Sequence, residues 1–226
     1  MDYKNEITTA IIAAKGSGKS VMLATYLNNM ERGILFDMVG IFNPRSNFKT
    51  AIVPGSTYFM HPDDFLEVLF KEGSIPRKSI INFGDLVGEE LIEYADMISE
   101  IIYKSIPYMP VLVDEVADIM PVMGAGSREF HRLVKNGRNH GNRPIIFATQ
   151  RPQNTSKQIF DLCDTFYVSM QRAPRTIEYI LELLDEKGNA SLATEIRQLK
   201  PREFLRYAGG DISRIKVPTY RYAFKQ

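Results

Sequence analysis

Residues 7–14, "ITTAIIAA", form a short and nearly continuous apolar run that stops at a glycine-rich turn. A run of this length reads as a buried strand, although periodicity alone does not separate it from a buried helical segment. Residues 20–30 have helical composition, with Val21, Leu23, Ala24 and Leu27 near one face and Gly33 placed as a C-cap. "ILFDMVGIF" predicts a second strand, and Pro44, Pro54 and Gly55 mark loops. "PDDFLEVLFKEG" predicts a short helix: Pro62 suits the first turn, acidic residues follow it, and Gly73 closes it. "SIINFGDL" is a third strand candidate. In "VGEELIEYADMISEIIYKSI", Leu91, Ile92, Ala95, Ile98, Ile101 and Ile102 recur at three- and four-residue steps, the clearest amphipathic helix of the chain. Pro107 and Pro110 end it.

The second half continues the alternation. "PVLVDEVADIM" predicts a strand leading into an acidic turn, and "SREFHRLVKNGRNHG" a helix that runs out at Gly137 or Gly141. "PIIFATQ" is a fifth strand, "SKQIFDLC" a short helix and "DTFYVSM" a sixth strand. Helices over 176–185 and 191–199 precede an antiparallel finish in "REFLRYAG" and "RIKVPTYRYAF". Strands alternating with helices predict an α/β fold with a mainly parallel sheet flanked by helices. In such sheets ligands sit at the carboxyl ends of the strands. Three polar stretches fall there: the glycine turn, Asp114-Glu115 and Thr149-Gln150.

Composition narrows the classes. The 226 residues suit one large domain, 1–226, with a C-terminal helix and hairpin extension over 172–226. The formal charge is +1, from 28 basic and 27 acidic residues, which excludes a strongly basic, free-standing nucleic-acid binder. The single cysteine, Cys163, excludes an internal disulfide and sits among apolar residues as a small hydrophobe would. No apolar run approaches membrane-spanning length, and the N-terminus has no apolar signal core. The expected location is the cytosol. His61, His131 and His140 have no metal-ligand spacing, so no structural zinc is expected.

The glycine turn, "AAKGSGKS", ends as a phosphate-binding loop does, but Ala13 stands where that motif has its first glycine. Gly16 and Gly18 let the backbone turn its N–H groups inward, toward an anion at a helix N-terminus. Lys19 would reach the β- and γ-phosphates, and the Ser20 hydroxyl would take a place on Mg²⁺. The nucleotide-binding set is Lys15, Gly16, Ser17, Gly18, Lys19, Ser20 and Val21. The bland alternative is a strand-to-helix turn that binds nothing. In "VLVDEVAD", Asp114 is placed to hold Mg²⁺ and Glu115 to polarise a water for attack on the γ-phosphate. The alternative is an acidic pair that caps the next helix. In "IIFATQRP", the Gln150 amide could bridge attacking water, glutamate and γ-phosphate; the alternative is a polar strand-to-loop turn.

Together, "AAKGSGKS", "VLVDEVAD" and "NGRNHGNRPIIFATQRP" resemble the FtsK/HerA group of P-loop motor ATPases. Within it, the short chain most resembles viral DNA-packaging ATPases. The resemblance runs from Ile7 to about Val217 and includes the closing hairpin "LKPREFLRYAGGDISRIKV". It implies a RecA-like core that binds ATP and Mg²⁺ and assembles into a homo-oligomeric ring, a pentamer or hexamer. Such a ring moves double-stranded DNA through its channel, here into a viral capsid in the host cytoplasm, with a capsid portal as a further partner. Carried over by position, Lys19, Ser20, Asp114, Glu115 and Gln150 keep the roles given above. Arg138 matches the position from which this group often sends an arginine into the neighbouring subunit's site, with Arg143 second and Arg128 and Arg132 in the same segment. Lys15, inside the loop, leans toward the viral branch. For DNA, the candidates are the loop "MPVMGAGSR" and the basic loops "NPRSNFK" and "IPRKS", with ordinary surface loops as the alternative. Rival readings are a cellular or plasmid DNA translocase, a small-molecule phosphotransferase, and a nucleotide-gated binding protein that would not need Glu115.

Overall fold

The structure is a computed structural model that describes residues 7–44, 53–137 and 143–217. Its strands are β1 (Thr8–Ile12), β2 (Gly33–Asp37), β3 (Thr57–Phe59), β4 (Lys78–Asn82), β5 (Val111–Asp114), β6 (Ile145–Thr149), β7 (Thr165–Ser169), β8 (Glu203–Ala208) and β9 (Asp211–Lys216). Its helices are α1 (Lys19–Asn29), α2 (Pro62–Glu72), α3 (Gly88–Ser105), α4 (Arg128–Asn136), α5 (Lys157–Phe160), α6 (Pro174–Leu183) and α7 (Ala190–Gln198). The described residues form one nine-stranded sheet in the order β3-β4-β2-β5-β6-β1-β7-β8-β9. β1 through β7 pair in parallel, and β8 and β9 close one edge antiparallel.

The central strands are buried throughout because both faces of the sheet are covered. Alternate side chains feed two cores. Ile11, Leu35, Leu112 and Ile146 pack with Met22, Leu23, Tyr26 and Leu27 of α1 on one face. Ala10, Ile12, Phe36, Val113 and Phe147 pack on the other face, with residues from α2 to α7. The strand order carries the functional consequence. β6 pairs with β1 on one side and β5 on the other, so three strand ends that are far apart in sequence rise side by side.

Several boundaries differ from expectation. α1 ends at Met30, whose backbone is extended, and Gly33 opens β2 instead of capping the helix. β2 stops at Asp37, because that carboxylate accepts hydrogen bonds from the amides of Ile41 (3.0 Å) and Phe42 (2.9 Å) and turns the chain. β3 has three residues at the sheet edge, too short to leave a periodic signal. α4, by contrast, ends at Asn136 with Gly137 as its C-cap, one of the two ends expected. β9 begins earlier than expected, directly after Gly209 and Gly210, both with positive φ, the geometry of a two-residue hairpin turn. The part of that expected strand beyond Val217 lies outside the described residues.

Cys163 is half-buried against the core, its thiol directed at the Ile159 carbonyl (3.5 Å), and burial pushes its pKa up. Among the described residues no helix is long and apolar enough to cross a membrane.

Candidate nucleotide site

The glycine turn joins β1 to α1 at the carboxyl edge of the sheet. Ala13, at the position of the missing glycine, is fully buried and its amide donates to the Thr149 carbonyl (3.0 Å). Its φ is not positive, so nothing in the backbone demands glycine there, and the methyl group adds to the core on the α1 face. Gly18 is different. It is the N-cap of α1 with φ 106°, and a Cβ built on it would lie 2.8 Å from Arg202 Cγ. Gly18→Ala is therefore expected to lower stability by about 1–3 kcal/mol from backbone strain alone and to push the loop out of register. Thermal denaturation and nucleotide titration would both report it, and wild-type behaviour in both would remove the constraint.

The loop is tied down from two sides. Ser17 Oγ donates to the Ala14 carbonyl (2.6 Å), and Ser169 Oγ, at the end of β7, donates to Ser17 Oγ (2.8 Å). Lys15 and Gly16 are exposed at its tip. Lys19 is buried and extends to the acidic strand end, with Nζ 2.5 Å from Asp114 Oδ1 and 3.0 Å from Glu115 Oε2. Burial alone would lower the Lys19 pKa, but the two carboxylates outweigh it and raise it, so the ammonium stays charged. Ser20 and Val21 follow in the first turn of α1, half-buried.

Asp114 ends β5 fully buried, and desolvation raises its pKa against the opposing pull of Lys19. Glu115 comes next with φ 65°, a left-handed conformation that a non-glycine residue adopts only when its surroundings impose it. The imposing contacts come from β6. The Thr149 hydroxyl donates to Glu115 Oε1 (2.7 Å), and the Gln150 amide N–H lies 3.1 Å from both carboxylate oxygens. The sequence pointed to the Gln150 side chain; the structure brings Gln150 to Glu115 through its backbone and adds the Thr149 hydroxyl. Neither contact has a signal in composition, because both depend on β6 lying beside β5.

Asp37 was missed altogether. It ends β2 in register with Asp114 and is fully buried. Burial is the main reason its pKa rises to about 6, and the Asp114 charge adds to it against the hydrogen bonds from Phe42 and Ile41. Tyr58 donates to it as well (3.3 Å). "ILFD" repeats the pattern of "VLVD", an apolar run ending in aspartate, and that repetition was the available clue.

The arginine segment divides. Arg138 lies outside the described residues. Arg143, the second choice, is fully buried and donates from Nη2 to the Ile106 carbonyl (2.9 Å), so it caps the end of α3 and offers nothing to a neighbouring subunit. Arg128 and Arg132 both pair with Glu129, at 3.2 and 3.3 Å, and Arg132 also lies over the Tyr103 ring. Of the basic loops, most of "NPRSNFK" lies outside the described residues. Arg77 and Lys78 stand at the amino end of β4, the edge opposite the glycine turn, where Lys78 donates to the Asn28 carbonyl (2.7 Å).

No family model matches the sequence, and no curated protein matches it. Solved structures do. The genome packaging NTPase B204 from Sulfolobus turreted icosahedral virus 2, in complex with AMPPCP, superposes with a TM-score of 0.68 at 15% identity, over 96% of this chain and 100% of that one. The chain shares the fold of this NTPase. The DNA-packaging ATPase B204 from Sulfolobus Turreted Icosahedral Virus gives 0.68 at 15% identity, over 94% and 98%. VirB4 of Thermoanaerobacter pseudethanolicus gives 0.62 at 13%, over 95% and 90%. Within this fold β1 leads into the glycine turn, β5 ends in the acidic pair and β6 lies between them, with the β8–β9 hairpin closing the sheet.

Proposed function

We propose that the protein is a motor ATPase that couples ATP hydrolysis to movement of double-stranded DNA, in the packaging of a viral genome. The observation that carries the hydrolytic half is the convergence of Lys19, Asp114 and Glu115 at the strand ends, with Glu115 held by Thr149 and Gln150. Support for the DNA half comes from similar structures whose proteins are a genome packaging NTPase and a DNA-packaging ATPase.

The residues have the following roles in this reading. The loop amides from Gly16 to Ser20 and the Lys19 ammonium bind the β- and γ-phosphates, and the phosphates compete with Glu115 for Lys19. Asp114 offers a buried carboxylate whose Oδ2 has no hydrogen-bond partner among the described residues, and Ser20 offers a hydroxyl one residue beyond Lys19. Oxygen donors of this kind suit Mg²⁺. When bound, Mg²⁺ supplies charge neutralisation on the β- and γ-phosphate oxygens. Glu115, freed from Lys19 and still oriented by Thr149 and Gln150, accepts the proton of the attacking water. Arg138 acts in the neighbouring subunit's site, so hydrolysis depends on ring assembly.

DNA contact is assigned to the loop at 121–126, which leaves the same strand end as the acidic pair. It is anchored by the Val122 amide on the Asn154 carbonyl (2.9 Å) and the Ser127 amide on the Ile119 carbonyl (2.7 Å), with Met123 exposed at its tip. Its anchors lie beside Glu115 and Thr149, so a change at the γ-phosphate has a short path to the loop.

The test is ATP hydrolysis measured against protein concentration, with and without duplex DNA. Specific activity should rise steeply with concentration and rise again with DNA. Activity independent of both, with phosphate passed to a small acceptor, would replace the motor with a phosphotransferase.

A further inference from the structure

The tail of the chain folds back onto the phosphate loop at one residue, Arg202. It precedes β8 and has φ 69°, a left-handed backbone that glycine adopts freely and arginine does not. Its amide donates to the Ser17 carbonyl (2.7 Å), inside the loop itself, and its carbonyl accepts from the Val217 amide (2.9 Å), at the end of β9. The position that a Cβ on Gly18 would take is 2.8 Å from Arg202 Cγ and 3.4 Å from its Cα. The stem of the side chain thus runs along the flank of Gly18, the residue that caps α1.

The arrangement joins an uncommon set of features. A residue with a bulky, always-charged side chain occupies a strained backbone position where glycine would relieve the strain. The stem passes at Gly18, where a side chain would meet it and where the backbone has φ 106°. A hairpin could be fastened to the loop by the backbone bond to Ser17 alone, which any residue type supplies.

We propose that Arg202 is a nucleotide-contacting residue, which brings a guanidinium to the flank of the phosphate loop and binds the polyphosphate of a nucleoside triphosphate from the same chain. The inference rests on the reading of the glycine turn as a nucleotide site. Guanidinium groups bind phosphate oxygens through paired charge-assisted hydrogen bonds. At the flank of Gly18, Arg202 complements Lys19, whose ammonium sits on the other side, at Asp114 and Glu115. It also makes the β8–β9 hairpin part of the site: a nucleotide held by Arg202 is held by the element that closes the edge of the sheet.

The experiment titrates mant-ATP into the wild-type chain and into Arg202→Gly, Arg202→Met and Arg202→Lys, with thermal denaturation of each without nucleotide. Arg202→Gly should unfold at or above the wild-type temperature, because glycine suits the backbone, yet bind mant-ATP roughly tenfold more weakly. Arg202→Met, which keeps the stem, should lose as much, whereas Arg202→Lys should keep most of the affinity. The loss should shrink as salt is raised. Binding within twofold of wild type in both Arg202→Gly and Arg202→Met would overturn the assignment while leaving the nucleotide site intact. A wild-type chain that does not bind mant-ATP would overturn the nucleotide site, and this inference with it.

Discussion

Glu115→Gln is expected to reduce ATP hydrolysis about 10²–10⁴-fold, the range for loss of a positioned general base, and to leave nucleotide binding in place. Glutamine has the shape of glutamate and still offers an oxygen to the Thr149 hydroxyl and the Gln150 amide, which lie 2.7 and 3.1 Å from the carboxylate. The constrained backbone at φ 65° has no cause to change. What disappears is the acceptor for a water proton and one of the two charges on Lys19. Phosphate release and mant-ATP titration on the same preparation separate the two effects. Turnover within tenfold of wild type would remove Glu115 from the chemistry and favour the acidic pair as a mere helix cap.

Lys19→Ala is expected to abolish nucleotide binding and also to destabilise the fold by about 3–5 kcal/mol, as breaking a buried ion pair at one partner does. The reason is local: Asp114 would be left fully buried with its only ion-pair partner among the described residues removed. The loss should depend on pH. Burial already raises the Asp114 pKa, and removing Lys19 takes away the main opposing influence, so the folded-state pKa moves further above the unfolded one. A group with a raised folded-state pKa binds more protons when folded, so its stability contribution falls as pH rises through the window between the two values. The Lys19→Ala chain should therefore lie closest to wild type in acid and fall further behind as pH rises. Urea denaturation of both chains at several pH values measures this. A gap that does not change with pH would place the buried charge elsewhere.

Much of the candidate site was legible because the residues of a phosphate-binding pattern are close together in sequence. Gly16, Gly18, Lys19 and Ser20 are consecutive or nearly so, and one turn between a strand and a helix suffices to present them. Asp114 and Glu115 were legible for the same reason, as two carboxylates ending an apolar run. Thr149 and the backbone of Gln150 were not, because their partner is Glu115, 34 and 35 positions away. Arg143 was misjudged from its neighbours: in a string of arginines it was the second choice for the residue sent into a neighbouring subunit's site, but it lies just before β6 and its guanidinium meets the end of α3. Arg202 had no signal at all. Its interest comes from a positive φ and from the proximity of Gly18, neither of which sequence periodicity encodes.

The chain's pattern by itself determined the alternation of strand and helix, the parallel class of sheet, and the chemical types gathered at the strand ends. Those depend on local preferences and on which segments are apolar enough to be buried, and both are written residue by residue. The tertiary structure alone decided that β6 runs between β1 and β5, that Lys19 reaches both carboxylates, and that the closing hairpin bears on the glycine turn. Strand order is a choice among packings that bury nearly the same apolar surface. Fine complementarity between faces separates them, and that complementarity exists only once distant segments meet.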